Sequence, residues 1–422
     1  MTRPLPAILG AILVVGAVAL AASPAAVSGV TQAAPGASPA GDMGHPLAAG
    51  PHSSPVAQPA EATALAPVEG ASPNTTRVLQ LDSTDASAFE EADLAVTNAL
   101  HAASTNAEGT LQMYAVETEI ERAVDEEAQE RAIRNATVLL EGRVGSLQVR
   151  ETEARSRFVA GEITAVTYLT ILGEINERAD HLQSLASSVE SAADPYPGLE
   201  NRLRNLQADL LQHQGPLRDD LGAAVTGGGA TDRLFVGASG QGAVLATIED
   251  GTYVREAVRT DARDAAVGGV DLDAAQDRIA ELYPWAWVNN GGVSIRSIGK
   301  DVFRFELSHD HGSLDSLLDT SSRNVYREVQ EKSLSRLPTA VGAQASVNNT
   351  TITVSKAYAG GPLAVDVTNA TGAPLPATVS VNRTVVRETG EDGRVWTISP
   401  AGTFRVTATT NSETVNVTVN AG

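Results

Sequence analysis

The stretch VLATIEDGTYVREAV, residues 244–258, is where the chain leaves a helical period for a period of two. Apolar runs at 244–248 and 253–258 flank Glu249, Asp250, Gly251 and Thr252. An Asp-Gly pair in that setting marks a two-residue hairpin turn, whose central positions both need the positive φ that Asp and Gly tolerate. Antiparallel strands are therefore expected from residue 233 to 338.

Downstream, Asp273 and Gln276 read as the cap of a helix that places Ala275, Ile279 and Leu282 on one face. The sequence YPWAWV, 283–288, follows, and then alternating runs at 293–298 and 302–307. A helix feeding antiparallel strands makes a small α+β sheet module. Three of the 16 aromatics of the 422-residue chain, Tyr283, Trp285 and Trp287, fall within five positions. If this run is a strand, they share one face and Ala286 and Val288 the other. Two readings stay open: the rings are the core of the module, or they face outward as a platform for a sugar or a protein.

The same region resembles the PepSY family of small secreted α+β domains. The likeness lies in the helix ending in Tyr283 and Pro284, the strands after it, and the run from Leu318 through Asp319 and Thr320 to Val325, with Arg323 where the family has glycine. It implies an extracellular interaction or inhibitory module.

Residues 339–422 are β throughout, with short strands at 351–354, 363–367, 378–381, 395–398, 404–408 and 414–419 separated by Gly, Pro and Asn. Ala373 to Val379, the Thr389 to Val395 turn around Asp392 and Gly393, and Pro400 to Phe404 stand in the order found in carboxypeptidase-regulatory-like and Ig-like domains, which this segment resembles. That implies a non-catalytic Ig-like β-sandwich.

Upstream, 77–81 (RVLQL) reads as a lone strand that joins a sheet formed later in the chain. Ser87 and Glu90 read as a capping box, opening a helical region that extends to about 222. Ile133, Leu140, Leu147 and Ala154 recur every seven residues, as do Ile175, Leu182 and Val189 on the returning segment. This is the pattern of a coiled-coil-like antiparallel helical hairpin. Forty-odd helical residues would make an arm roughly 60–70 Å long, either a spacer or an exposed surface for partner helices.

Residues 23–76 are rich in Ala, Pro, Gly and Ser and read as a disordered linker, and 223–232 as a Gly-rich one. Residues 1–22, with Arg3 and an apolar run from Ala7 to Ala22, read as a Sec-type signal peptide; an uncleaved anchor is the minor alternative. The domain plan is thus 1–22, 23–76, 77–222, 223–232, 233–338 and 339–422, with no membrane span once the signal is removed.

The chain carries 51 acidic against 30 basic residues, a net charge of −21, and its only lysines are Lys300, Lys332 and Lys356. An acidic, lysine-poor surface stays soluble in molar salt, which screens its self-repulsion. The expected source is an extremely halophilic archaeon, with an acidic secreted protein of a mesophile as the alternative. No basic footprint for nucleic acid exists. With no cysteine, disulfides, thiol nucleophiles and cysteine metal sites are excluded.

No catalytic constellation or cofactor motif is read. His309 and His311 could share a strand face and a metal, but no third ligand has a defined position. Seven N-x-S/T sequons, at Asn74, Asn135, Asn348, Asn349, Asn369, Asn382 and Asn416, are candidates for surface glycosylation, and Asn382 and Asn416 are expected to face solvent. The expected function is a secreted or cell-surface interaction and scaffold protein whose partners are other envelope or secreted proteins. The alternatives are a PepSY-like regulator or inhibitor of an extracellular enzyme, and a carbohydrate-binding or hydrolase accessory protein using Trp285 and Trp287.

Overall fold

The computed structural model describes residues 74–91, 111, 113–225, 233–264, 269–400 and 402–420. The signal-like segment 1–22, nearly all of the 23–76 linker and residues 226–232 of the Gly-rich joint lie outside them. The Asp-Gly hairpin forms as expected. Strands β3 (Gly242–Glu249) and β4 (Thr252–Arg259) pair antiparallel with Glu249 opposite Thr252, and Asp250 and Gly251 take φ of 47° and 76°.

That hairpin belongs to an eight-stranded antiparallel sheet in the order β1-β2-β3-β4-β8-β7-β6-β5. Two meanders build it. The first is β2 (Arg233–Ser239), β3 and β4; the second is β5 (Asn290–Ile298), β6 (Val302–His309), β7 (Gly312–Asp319) and β8 (Asn324–Ser333). They meet edge to edge where β4 pairs with β8. The molecule is thus a mixture of helices and antiparallel sheets, as the sequence implies.

The N-terminal strand is not where the sequence placed it. RVLQL is extended but pairs with no strand; instead β1 (Ala86–Glu91) adds to the outer edge beside β2. The supposed capping residues Ser87 and Glu90 therefore lie in a strand. A capping box is a four-residue pattern that has meaning only if a helix follows it. Here Ala86 and Ala88 pack on one side of the sheet, and Phe89 packs on the other against Phe235 at 5.1 Å.

One face of the sheet carries the helical layer: α1 (Glu126–Val159), α2 (Ala165–Ala192), α3 (Pro197–Leu210) and α4 (Pro216–Val225). Asp125 caps α1 by accepting from the Ala128 amide at 2.7 Å. The heptad residues Ile133, Leu140, Leu147, Ile175, Leu182 and Val189 are all buried. The hairpin is not a free arm, however. Leu199, Leu203 and Leu206 of α3 fill the α1–α2 seam, and its base, with Leu169 and Leu172, packs on Leu234, Val236 and Leu245 of the sheet. Its 34-residue longer helix spans about 51 Å, short of the arm expected.

The opposite face is shared. Over β5–β8 lies α5 (Leu272–Leu282), capped by Asp271 rather than Asp273, with Ala275 and Ile279 buried against Phe305, Leu307 and Leu314. The YPWAWV run is not a strand but a short helix, α6 (Pro284–Val288). Proline begins helices well, and following α5 directly gives this segment a helical neighbour rather than a strand partner.

Over β1–β4 sits the C-terminal unit, through Phe89, Phe235, Ala246 and Tyr253 on the sheet and Ala357, Tyr358, Trp396 and Ile398 on the unit. Its strands include β10 (Thr350–Lys356), β11 (Pro362–Asn369), β12 (Thr378–Val381), β14 (Arg394–Ile398), β15 (Thr403–Thr409) and β16 (Thr414–Asn420). With β9 (Ala340–Val347) and β13 (Thr384–Glu388) they form two four-stranded sheets, β14-β11-β10-β9 and β13-β12-β15-β16. Valines such as Val354, Val365, Val379, Val406 and Val417 interleave between them, together with Phe404. All six anticipated strands are present, with β9 (Ala340–Val347) and β13 (Thr384–Glu388) in addition.

Candidate functional site

Strand β8 reads NVYREVQEKS, polar everywhere except at Val325, Tyr326 and Val329, yet it lies in the middle of the sheet. Glu328, Gln330 and Lys332 are 0% exposed, and Arg255 beside them on β4 is 4% exposed. Four buried polar side chains on one face need partners, since each costs free energy if left unpaired. Those partners are the main chain of residues 76–80, which runs extended across the sheet.

The tightest grip is on Leu79. Its amide donates to Glu328 Oε2 at 2.8 Å, and its carbonyl accepts from Arg255 Nη2 at 2.6 Å. Arg255 Nη1 and Glu328 Oε1 pair with each other at 3.0 Å, closing a fork around one residue's backbone. Tyr283 donates its hydroxyl to Glu328 Oε2 at 2.7 Å from the end of α5. Further along, Gln330 donates to the Arg77 carbonyl at 2.6 Å, Lys332 to that of Thr76 at 3.3 Å, and Arg259 to that of Gln80 at 3.3 Å. Arg255, Glu328, Gln330, Lys332 and Arg259 all read backbone, and Tyr283 braces Glu328. The clamp holds an extended chain as a neighbouring strand would, but from the face of the sheet.

The electrostatics follow from burial. Lys332, enclosed and lying 4.5 Å from the Tyr358 ring, is pushed down to about 7 by loss of solvent. His309 is lowered to about 4, by burial first and by Lys332 second. Tyr283 is raised well above its usual range by burial and then by the Glu328 charge. Tyr283 faces the Glu328 carboxylate, His309 the Thr76 hydroxyl and Lys332 the Thr76 carbonyl.

The expected binding residues fall at this site without forming one platform. Tyr283 is core and part of the clamp. Trp285 is half-buried, stacked on His311 at 4.6 Å and edge-on to His309 at 5.4 Å; Trp287 is half-buried against the α5 cluster. Helical geometry disperses rings that a strand would align.

His309 bonds Thr76 Oγ1 through Nε2 at 2.9 Å and accepts the His311 amide at Nδ1 at 3.2 Å, so both of its nitrogens are engaged. Among the described residues no group of three His, Cys, Asp or Glu is placed to hold a metal. Of the sequons, Asn74, Asn135, Asn348, Asn349 and Asn382 are exposed. Asn369 and Asn416 are half-buried, with side-chain oxygens accepting from the Thr371 amide at 2.9 Å and from the Thr407 hydroxyl at 2.6 Å.

Sequence reading missed Arg255, Glu328, Gln330 and Lys332. Polar groups at 328, 330 and 332 share one face of a strand, but Arg327 and Glu331 make the other face polar too, so the pattern did not single out a buried face. The missing information was the partner, which lies about 250 residues earlier.

Residues 234–338 match a model described as a family of unknown function (DUF7094), and residues 342–417 match the archaeal fibronectin-III type-like domain, which fits the Ig-like sandwich expected there. Neither the curated proteins nor the solved structures contain a significant match. Residues 1–231, more than half of the chain, match the model described as domain of unknown function (DUF7096), and the chain belongs to that family.

Proposed function

We propose that the protein is a secreted or cell-envelope-associated, non-catalytic interaction and scaffold protein, held in place through an N-terminal tether that the central sheet grips. The double grip on Leu79 by Arg255 and Glu328 carries this reading. A linker that positions a folded body must enter it through bonds that do not yield locally. Buried, charge-assisted bonds to main chain meet that need, being about twice as strong as neutral ones. The signal-like residues 1–22 and the acidic composition support an exterior, high-salt setting, and the archaeal fibronectin-III-like match is in keeping with it. On this reading the coiled-coil-like helical seam and the sandwich are structural units, and exposed sequons such as Asn382 carry glycans.

The test is crosslinking in culture at native salt with a C-terminally tagged chain, followed by mass spectrometry of the captured proteins. Envelope proteins joined through the helical layer or the sandwich are the expected result. Recovery of a single enzyme crosslinked within 233–338 would replace this reading with the PepSY-like regulator. Saccharide retention that is lost on Trp285→Ala would replace it with the carbohydrate-binding one.

A further inference from the structure

All seven sequons of the chain end in threonine, and the fold separates them by what it does with that hydroxyl. Transfer of a sugar to asparagine requires the hydroxyl as well as the amide, so both must be within an enzyme's reach. By exposure of the asparagine, Asn74, Asn135 and Asn348 are all accessible. Their threonines are not. Thr76 is 1% exposed and its hydroxyl is bonded to His309 Nε2 at 2.9 Å. Thr137, inside α1, is 0% exposed and donates to the Ile133 carbonyl at 2.8 Å, and Thr350 is 2% exposed.

Two more sequons are obstructed in other ways. Thr351, which serves Asn349, is half-buried, and its hydroxyl is shared with that of Ser346 at 2.8 Å. Asn416 is half-buried within β16 and tied to Thr407.

Asn369 and Asn382 meet both requirements. Asn369 ends β11, and its Oδ1 accepts from the Thr371 amide at 2.9 Å, the Ala373 amide at 2.9 Å and the Thr371 hydroxyl at 2.7 Å. Thr371 is exposed, and its hydroxyl stands against the side-chain amide it must serve. Asn382 opens the tight turn between β12 and β13; its Oδ1 accepts from the Arg405 amide at 3.0 Å, and Thr384 is exposed. In both, the chain's own donors hold the oxygen, while Nδ2, the atom that takes the sugar, donates to nothing among the described residues.

We infer that Asn369 and Asn382 are the N-glycosylation sites of this chain and that the other five sequons stay bare. The inference rests on the exterior reading above and narrows it, because exposure of the asparagine alone does not suffice. The donor class is an oligosaccharide linked to a lipid phosphate. Nδ2 bonds to the anomeric carbon and gives up one proton, the bond from that carbon to the phosphate oxygen breaks, and the lipid phosphate leaves with the electron pair. The sugars then sit on the fibronectin-III-like sandwich and leave the helical layer and the clamp uncovered.

The test is a glycopeptide map, by mass spectrometry, of the full chain recovered from outside the cells that make it natively. A saccharide mass is expected on the peptides holding Asn369 and Asn382 and on no other sequon. Thr371→Ala should lose the Asn369 sugar, Thr371→Ser should keep it, and neither should change occupancy at Asn382. Sugar on Asn74, Asn135, Asn348, Asn349 or Asn416 would overturn the inference. An exported chain bare at Asn369 or at Asn382 would also overturn it while leaving the scaffold reading standing. A chain found only inside the cells would sink both. If Thr371→Ala is not exported, the wild-type map decides alone.

Discussion

Glu328 has the most to lose from a single substitution. It is fully buried and joins Arg255, the Leu79 amide and the Tyr283 hydroxyl. Glu328→Ala strands the Arg255 guanidinium and the Leu79 amide together. The expected loss is about 3–5 kcal/mol, the cost of breaking one side of a buried pair, read from chemical denaturation at native salt. Lys332 makes a second prediction at this scale. Its folded value, about 7, lies below its ordinary 10.5, so the unfolded chain binds the extra proton between those values. Stability should therefore rise with pH from about 7 towards 10.5. His309, lowered from 6.5 to about 4, adds a rise in the same direction over that lower range. Denaturation midpoints across pH should show both rises, and Lys332→Met should abolish the upper one. A midpoint that falls between pH 7 and 9 would contradict the assignment.

At the scale of elements, legibility followed the range of the interactions. The Asp-Gly hairpin, the heptad seams and the six sandwich strands were readable because pattern and partner lie close together in sequence. The 77–81 segment was misread because its extended conformation is imposed by side chains of β4 and β8, while the strand proper, 86–91, offered only two alanines and Phe89 as an alternating pattern. The YPWAWV run was misread because the proline and the preceding helix outweighed the β-propensity of its aromatics. A distant close approach was equally invisible. Gly173 of α2 lies so near α4 that a Cβ there would sit 2.8 Å from the Leu221 carbonyl carbon. Gly173→Ala should cost about 1–3 kcal/mol as overpacking against backbone that cannot rotate away. Alanine at Gly142, whose Cβ would meet nothing within 4 Å, should be neutral or slightly stabilising, as the helical preference for Ala over Gly dictates. Equal effects at the two sites would show that α2 and α4 do not cross so closely.

At the scale of the molecule, one sheet organises everything described. The helical layer covers one face, α5 and the clamped segment cover part of the other, and the sandwich covers the rest. Residues 74–91 belong to this body twice, through the clamp and through β1 on the sheet edge. Polar side chains that a two-layer domain would have turned to solvent are here used to bind the chain's own backbone. That is the feature by which an N-terminal tether would become part of the fold rather than an appendage to it.

Amide hydrogen exchange across residues 74–91 at native salt, read by mass spectrometry in wild type and Glu328→Ala, tests this most directly. The clamp predicts wild-type exchange at the Leu79 amide, which donates to Glu328, slowed to nearly the rate of the β4 and β8 amides, because opening it unpairs a buried ion pair. In Glu328→Ala the Leu79 amide should exchange orders of magnitude faster, with β1 less affected. Wild-type exchange of the Leu79 amide at the rate of a free peptide would mean that the segment is not gripped, and the tether reading would fall with it.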